Sequence, residues 1–299
     1  MNKNIVCVGE ILWDIIGQQK HIGGAPFNTA AHLAALGFEA YPVSTLGRDE
    51  LGAGALDELK RLGVRDDMVA FSDCPTGYAR VFSKADGTPD FELPLGVAYD
   101  QTRITPELSK RIKELAPRAV IYGSLALKRS DALKNDLFTL ISELEETVGF
   151  FDVNLRKDFF DGELLKEGIS LCRIVKFNDG ELGVISRAVY GRELGFREFA
   201  ERVFSESGCQ AVVQTCGEKG ALAFGRDGKY AESGAIAVEV ADTVGAGDAF
   251  NAGFLCRYIS GADLSACLAA GNRMGAYVAS KKGAVPPLEE ALVKEVLGC

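Results

Sequence analysis

Short apolar segments alternate with amphipathic helical patterns along most of this chain, and this alternation constrains the fold more than any other feature of the sequence. Each apolar segment is bounded by Gly, Asp or Asn, and most are apolar throughout, as expected for strands buried on both faces. The strand candidates are 5–8, 41–46, 119–122, 149–153, 173–177 and 211–214. We therefore predict an α/β fold in which helices cover both faces of a mostly parallel sheet, with ligands at the C-terminal ends of the strands.

One segment departs from this alternation. Residues 78–83 and 90–93 have the composition of strands, and Asp86 and Gly87 between them are typical of a hairpin turn. A hairpin at this point has no place in a parallel sheet, so we predict a small separate β element or, alternatively, a surface hairpin without a role. Because the sequence contains no internal repeat and no interdomain linker, we predict a single domain over residues 1–299.

A Gly-rich turn runs directly into a helical pattern in the segment 242–254, DTVGAGDAFNAGF. The free N–H groups of a first helical turn, together with the positive end of the helix dipole, attract phosphate. Asp248 stands where the turn ends, and a carboxylate there is useful if a neighbouring hydroxyl must lose a proton. The pattern thus indicates phosphoryl transfer from a nucleotide to an alcohol, with Asp248 as the general base. The alternative is that Gly245 and Gly247 only form a tight turn and Asp248 only caps the helix.

The same segment, extended to Leu255, resembles the second signature of the ribokinase-like (PfkB) carbohydrate kinases, and the segment 23–37, GGAPFNTAAHLAALG, resembles their first signature. The resemblance runs from 7–10 to 282–284, and GGAPxN together with Asp-Val-Asn-Leu-Arg at 152–156 is most similar to fructokinases. It implies a ribokinase-like three-layer fold with a small β lid. It also implies ATP-dependent phosphorylation of a sugar hydroxyl, D-fructose giving D-fructose 6-phosphate. The alternatives are a 2-keto-3-deoxygluconate kinase or a ribokinase of the same fold and, in another class, a non-catalytic sugar-sensing relative.

The resemblance assigns one group of residues to the sugar. Consecutive glycines at 23 and 24 allow a close backbone approach to a ligand, and carboxylate or amide side chains suit vicinal hydroxyls. The substrate-binding residues that it implies are Asp14, Gly23, Gly24, Asn28, Asn154 and Arg156. The lid, formed by about 12–22 and 72–98, would cover the sugar and carry a homodimer contact. The helix that begins within the first signature should end near Gly37.

A second group is assigned to ATP. Gly245, Ala246, Gly247 and Asp248 would form the anion hole for the transferred phosphoryl group. The other nucleotide-binding residues implied are Asn178, Glu181, Thr215, Gly217, Gly220 and Asn272. Glu181 would hold Mg²⁺ through water, and Asp242 is the candidate ligand of an optional monovalent cation such as K⁺. Asn178 and Glu181 also have the spacing of a capping box, so a helix cap is the second interpretation of that pair.

Composition limits the partners. The net charge of −9 argues against nucleic-acid and anionic-membrane partners. The eight cysteines have no metal-ligand spacing, and most lie in apolar runs as expected for reduced core residues. The sequence has neither an apolar run of about 18 residues nor a signal-peptide pattern. We therefore expect a soluble cytoplasmic protein whose partners are a sugar and ATP.

Overall fold

The computed structural model describes residues 2–83 and 89–298. Within them, a nine-stranded main sheet has the strand order β13-β12-β11-β10-β9-β8-β1-β4-β5. Its strands are β1 (Asn4–Val8), β4 (Glu39–Gly47), β5 (Val69–Ser72), β8 (Ala119–Gly123), β9 (Val148–Asp152), β10 (Ile174–Asn178), β11 (Ala211–Thr215), β12 (Ala221–Gly225) and β13 (Tyr230–Ser233). All pairings are parallel except β11–β12 and β12–β13. The mostly parallel sheet predicted from the sequence is confirmed, and β5, β12 and β13 extend it at its two edges.

Helices cover both faces of the main sheet, as predicted. They are α1 (Ala25–Ala35), α2 (Glu50–Arg61), α3 (Pro106–Leu115), α4 (Ser124–Arg129), α5 (Asp131–Ser142), α6 (Gly162–Leu171), α7 (Asp179–Tyr190), α8 (Phe196–Glu206), α9 (Ala246–Ile259), α10 (Leu264–Ala279) and α11 (Glu290–Leu297). Alternate residues of β1 enter two separate cores, because successive side chains of a strand point to opposite faces. Ile5 packs in a core with residues of α1, α9 and α10, and Val6 packs in a core with residues of α3, α5 and α8. Helix α1 ends two residues before Gly37, whose φ of 82° confirms the predicted helix end.

A second, smaller sheet lies beside the main one, with the strand order β3-β2-β6-β7. It contains β2 (Leu12–Ile16), β3 (Gln19–Gly23), β6 (Gly77–Ser83) and β7 (Pro89–Glu92). Strands β2 and β6 are parallel, whereas β2–β3 and β6–β7 are antiparallel. The predicted hairpin strands are therefore present, and the predicted turn at Asp86 and Gly87 lies outside the described residues. We call these four strands the small sheet.

Two side chains connect the small sheet to α2. Asp49, the N-cap of α2, accepts hydrogen bonds from the backbone N–H of Gly52 and from the backbone N–H and hydroxyl of Thr76, which precedes β6. On β2, the indole N–H of Trp13 donates to the carbonyl oxygen of Leu51 at 2.9 Å. Hydrogen bonds thus connect the small sheet to the start of α2. In the described part of the chain, no helix combines the length and the apolar character needed to span a bilayer.

Candidate active site

The Gly-rich turn predicted to bind phosphate forms the start of α9. Gly245 is its N-cap, with a φ of 78°, and a Cβ at this position would lie 2.5 Å from the carbonyl oxygen of Ala284. Only glycine satisfies both the positive φ and this close approach. The N–H of Ala246 bonds the carbonyl oxygen of Thr243 at 3.3 Å. The N–H groups of Gly247 and Asp248, which have no partner within the helix because of their position, are therefore the better donors to an anion.

Asp248, the predicted base, lies in the first turn of α9 and is half-buried. Its Oδ2 accepts a hydrogen bond from Nδ2 of Asn28 at 2.8 Å. Burial raises the pKa of Asp248 to about 6, and the neighbouring charge of Asp152 acts in the same direction. The bond from Asn28 and the positive charges of Lys176 and Arg156 oppose this rise. The carboxyl group is thus a stronger base than an exposed aspartate, yet it is mostly ionised at neutral pH.

Asn28 was expected to contact a sugar, and the structure places its amide against Asp248. Its side chain is 4% exposed, and the next residue of α1, Thr29, donates from its hydroxyl to the backbone oxygen of Asp248 at 3.4 Å. Oδ1 of Asn28 has no hydrogen-bond partner in the described residues. The amide group therefore holds the base with one atom and leaves a buried acceptor for a further donor.

A buried polar cluster lies beneath the turn, and two of its three members, Lys176 and Asn251, were missed in the sequence. Asp152, at the end of β9, accepts from Nζ of Lys176 at 3.1 Å and from Nδ2 of Asn251 at 2.6 Å. A Cβ at Gly247 would lie 3.5 Å from the same Nζ. The ammonium group is therefore adjacent to the Gly-rich turn that is predicted to bind an anion. The sequence feature that could have revealed Lys176 is its place inside the apolar run 173–177. A charge buried there without a partner would be costly, so a partner or a function is expected.

The small sheet and the loop after β1 bring further carboxyl groups to this end of the main sheet. Asp14 on β2 lies opposite His21 on β3; burial raises the pKa of Asp14, whereas the charges of Arg156 and His21 lower it. A Cβ at Gly23 would lie 2.3 Å from Oδ2 of Asp14. Glu10 accepts from the backbone N–H of Ala25 at 3.3 Å, and burial raises its pKa to about 7. A side chain at position 23 would therefore displace the carboxylate of Asp14 from its present place.

Gly24, Asn154 and Arg156 lie around the same region. Gly24 has a φ of 109°, and a Cβ there would lie 2.3 Å from the carbonyl oxygen of Glu10. Asn154 adopts a φ of 41°, an uncommon conformation in which asparagine is enriched. Arg156 is exposed. Its positive charge favours the ionised forms of Glu10, Asp14 and Asp248 and so partly offsets the rise in pKa that burial causes in each. Asn28 and Arg156 therefore lie near Asp248, Arg156 also acts on Asp14, and Asn154 lines a small cavity together with Glu10 and Asp152.

A cleft of about 680 Å³ lies on the other side of the turn. Its walls include the predicted residues Asn178, Thr215, Gly217, Gly220, Ala246, Gly247 and Asn272. They also include an aliphatic segment that was not predicted, 235–238 with Val240, and Phe250 of α9. Nδ2 of Asn272 donates to the carbonyl oxygens of Ser233 and Gly234 at 2.9 and 3.1 Å. The cleft combines an apolar wall with the Gly-rich turn at the start of α9, an arrangement that suits a nucleotide.

Glu181 and Asp242, the two residues predicted near metal ions, use their carboxylates on the backbone. Oxygens of Glu181 accept from the N–H groups of Leu155 and Asn178 at 2.7 and 2.8 Å, and Asn178 accepts from the N–H of Glu181 in return. This is the capping box foreseen as the second interpretation. Asp242 accepts from the N–H groups of Val244 and Gly283 at 3.0 and 3.2 Å. Each oxygen of Glu181 keeps a further acceptor site beside its backbone bond, which suits a water molecule of a hydrated cation such as Mg²⁺.

Comparison with known proteins gives concordant results. A family model described as pfkB family carbohydrate kinase matches residues 2–291. A probable fructokinase-5 from Arabidopsis thaliana is 29% identical over 95% of this chain and 94% of its own length. A 2-dehydro-3-deoxygluconokinase from Haemophilus influenzae is 26% identical over 95% of both chains. The crystal structure of fructokinase with bound ATP from Xylella fastidiosa matches with a TM-score of 0.85 at 21% identity, over 100% of this chain and 99% of that one.

Proposed function

Because the chain belongs to the pfkB family of carbohydrate kinases, we propose that it is a fructokinase, which transfers the γ-phosphoryl group of ATP to D-fructose and forms D-fructose 6-phosphate. The observation that carries this proposal is the position of Asp248, between the nucleotide-sized cleft and the group of sugar-facing residues. Relatives named as a probable fructokinase and a fructokinase are 29% and 28% identical over 95% and 98% of this chain, which supports the proposal.

In the proposed reaction, Asp248 accepts the proton of the attacking sugar hydroxyl. The hydroxyl oxygen forms a bond to the γ-phosphorus, and the bond from that phosphorus to the β–γ bridging oxygen breaks, so that ADP leaves with the bonding electrons. The N–H groups of Gly247 and Asp248 stabilise the negative charge of the phosphoryl oxygens. Asp14 and the free Oδ1 of Asn28 hold the sugar hydroxyls.

The buried ammonium group of Lys176 adds a full positive charge to this turn. Nζ of Lys176 donates one hydrogen bond to Asp152 at 3.1 Å. A Cβ placed at Gly247 would lie 3.5 Å from this Nζ, so the ammonium group also faces the space beside the turn. We infer that Lys176 contacts the transferred phosphoryl group, where a charge screened from water acts strongly. Arg156 approaches from the sugar side and supplies a second, exposed cation.

Metal ions have a defined part in this proposal. Mg²⁺, bound mainly by phosphate oxygens and water, would neutralise the nucleotide and be oriented through water by Glu181. Asp242 would border the site of an activating monovalent cation near Gly283. We further propose a cytoplasmic homodimer that forms through the small sheet, which would cover the sugar.

A 2-keto-3-deoxygluconate kinase is the second candidate, because Arg156 is exposed beside the sugar residues and could pair with the carboxylate of such a substrate. A coupled assay of ADP release separates the two, with fructose, 2-keto-3-deoxygluconate, ribose, tagatose and adenosine compared at equal concentration. We expect the highest kcat/KM with fructose and no ADP release without an acceptor. A lack of turnover with every acceptor would reject the kinase and favour a sugar-sensing protein.

A further inference from the structure

Helix α1 presents three polar side chains toward the start of α9 and the loop beside it. Asn28 and Thr29 contact Asp248, as described above. One turn later, His32 is fully buried, with 0% of its side chain exposed. Its Nε2 lies 3.0 Å from the carbonyl oxygen of Ala284, whereas Nδ1 has no partner in the part of the chain that the structure describes. A buried imidazole with a single bond to a loop is an unusual core residue.

Ala284 is in direct contact with the N-cap of α9. Its carbonyl oxygen and Cα lie 2.5 and 2.7 Å from the place where a Cβ of Gly245 would be. The preceding residue, Gly283, donates its N–H to Asp242, which also accepts from Val244 in the Gly-rich turn. The position of Ala284 therefore determines how closely the loop 282–284 can approach the anion-binding turn.

We propose that His32 is a positioning residue for phosphoryl transfer: by holding the carbonyl of Ala284, it fixes the anion-binding turn of α9 relative to Asn28 and the sugar. The inference rests on the proposed kinase function and adds a residue to it. With Asn28 and Thr29, His32 makes α1 a single rigid connection between the two substrates. An error of one ångström in such an alignment is enough to slow a transfer reaction strongly.

The chemistry of the imidazole suits this role. Since the partner of Nε2 is a carbonyl oxygen, Nε2 must carry the hydrogen. Burial lowers the pKa of His32 to about 4, so that the ring stays neutral and keeps this donor through the pH range in which an enzyme of this kind is assayed. A residue without a donor at position 32 would leave the carbonyl of Ala284 unpaired in a dry environment.

The test compares His32→Gln with His32→Met. Both replacements are unbranched and similar in length, but only glutamine can donate to the carbonyl of Ala284. We expect His32→Met to lower kcat by about fivefold or more, with the KM for the sugar changed less than twofold. His32→Gln should restore most of the wild-type kcat. Equal kcat values for the two variants, or an effect on the sugar KM alone, would overturn the proposal.

A matched control separates positioning from stability. Thr147 is also buried and donates to a backbone carbonyl, that of Pro117, at 2.8 Å, but it precedes β9 at the opposite end of the sheet. Thr147→Val should lower the melting temperature without lowering kcat. Amide hydrogen exchange over 242–249 should accelerate in His32→Met and not in Thr147→Val. Because exchange requires no turnover, unchanged exchange in His32→Met would reject the positioning role even if the proposed kinase activity were wrong.

Discussion

At the scale of single residues, the proposed reaction depends on a carboxylate that is a better base than an ordinary aspartate and is still ionised at neutral pH. Burial and the charge of Asp152 raise the pKa of Asp248 to about 6, and such a value is close to what a general base at neutral pH requires. The sequence located Asp248 through its place after a Gly-rich turn. It could not reveal this pKa, because the groups that produce it come from β9, β10 and α1.

Replacing the base tests its assignment. We expect Asp248→Asn to lower kcat by about 10²–10⁴-fold while ATP affinity stays nearly unchanged, because the variant loses a proton acceptor and keeps the phosphate donors. Nucleotide affinity is measured by calorimetry with a non-hydrolysable ATP analogue, so that binding is separated from turnover. A variant with more than about a third of the wild-type kcat would contradict the role of Asp248.

The pH dependence of the reaction provides an independent test. Only the ionised carboxylate can accept a proton, and kcat/KM reports the groups of the free enzyme, so kcat/KM should rise with pH and reach its plateau above the pKa of about 6. Burial raises the pKa of Glu10 to about 7, and the charge of Asp248 adds slightly to this rise, so titration of Glu10 would produce a similar increase in rate with pH. Glu10→Gln should therefore retain the rise near pH 6. If this variant abolished the rise, Glu10 would be the group that titrates.

The ammonium group beneath the turn should contribute through its charge. Lys176→Met alone would leave Asp152 as an unpaired buried anion, so the variant is combined with Asp152→Asn. We expect the double variant to lose about 10²–10³-fold in kcat relative to Asp152→Asn alone, as for the removal of one donor to a developing anion. Lys219→Met, which removes an exposed lysine of a cleft loop, is the control for charge loss. Similar kcat values for the double variant and for Asp152→Asn would exclude Lys176 from the phosphate site.

At the scale of secondary-structure elements, the sequence identified six parallel strands of the main sheet through their apolar runs, but it missed β5 and also β12, although β12 is apolar and mostly buried. The predicted strands of the main sheet differ from the observed ones by only a few residues at their ends. Strand β13 lies at the sheet edge and has exposed and polar residues. It therefore lacks the apolar run by which the six strands were predicted. The parallel pairing of β2 with β6 joins segments far apart in the chain, and no local pattern encodes such a partnership.

Ligand-induced closure of the small sheet should be observable at its attachment to α2. Trp13 is the one tryptophan of the chain, and its indole bonds Leu51 and packs near Gly54. Because a phosphoryl-transfer site must exclude water, we expect sugar with an ATP analogue to change Trp13 fluorescence and to slow hydrogen exchange in β6. Gly54→Ala, whose Cβ would lie 3.3 Å from the indole, should alter the signal without ligand. Unchanged exchange in a saturated complex would argue against closure.

At the scale of the whole molecule, the two proposed substrates occupy opposite sides of one turn. The parallel strands β1, β9 and β10 end at this place, so residues from distant parts of the sequence meet there. The sequence, through the family resemblance, named most of the residues that the structure gathers around this turn, and their roles toward the two substrates stay predictions. It gave Asn28 a role toward the sugar only, because the bond to Asp248 joins residues 220 positions apart. This bond predicts that changes in α1 affect turnover as well as sugar binding.

Two variants separate sugar binding from catalysis in the intact enzyme. Asp14 lies on the small sheet, whereas the side chain that hydrogen-bonds Asp248 is that of Asn28, so Asp14→Ala should raise the KM for fructose at least several-fold and leave the KM for ATP much less affected. The physical reason is that a sugar hydroxyl would lose a charged partner in a site closed to water, a loss of about 1–3 kcal/mol. Asn28→Ala should instead change both the fructose KM and kcat, since it also removes the bond that holds Asp248. If both variants bound fructose normally, the sugar site would have to lie elsewhere. If another sugar exceeded fructose tenfold in kcat/KM, the proposed kinase activity would be retained and its substrate would be that sugar.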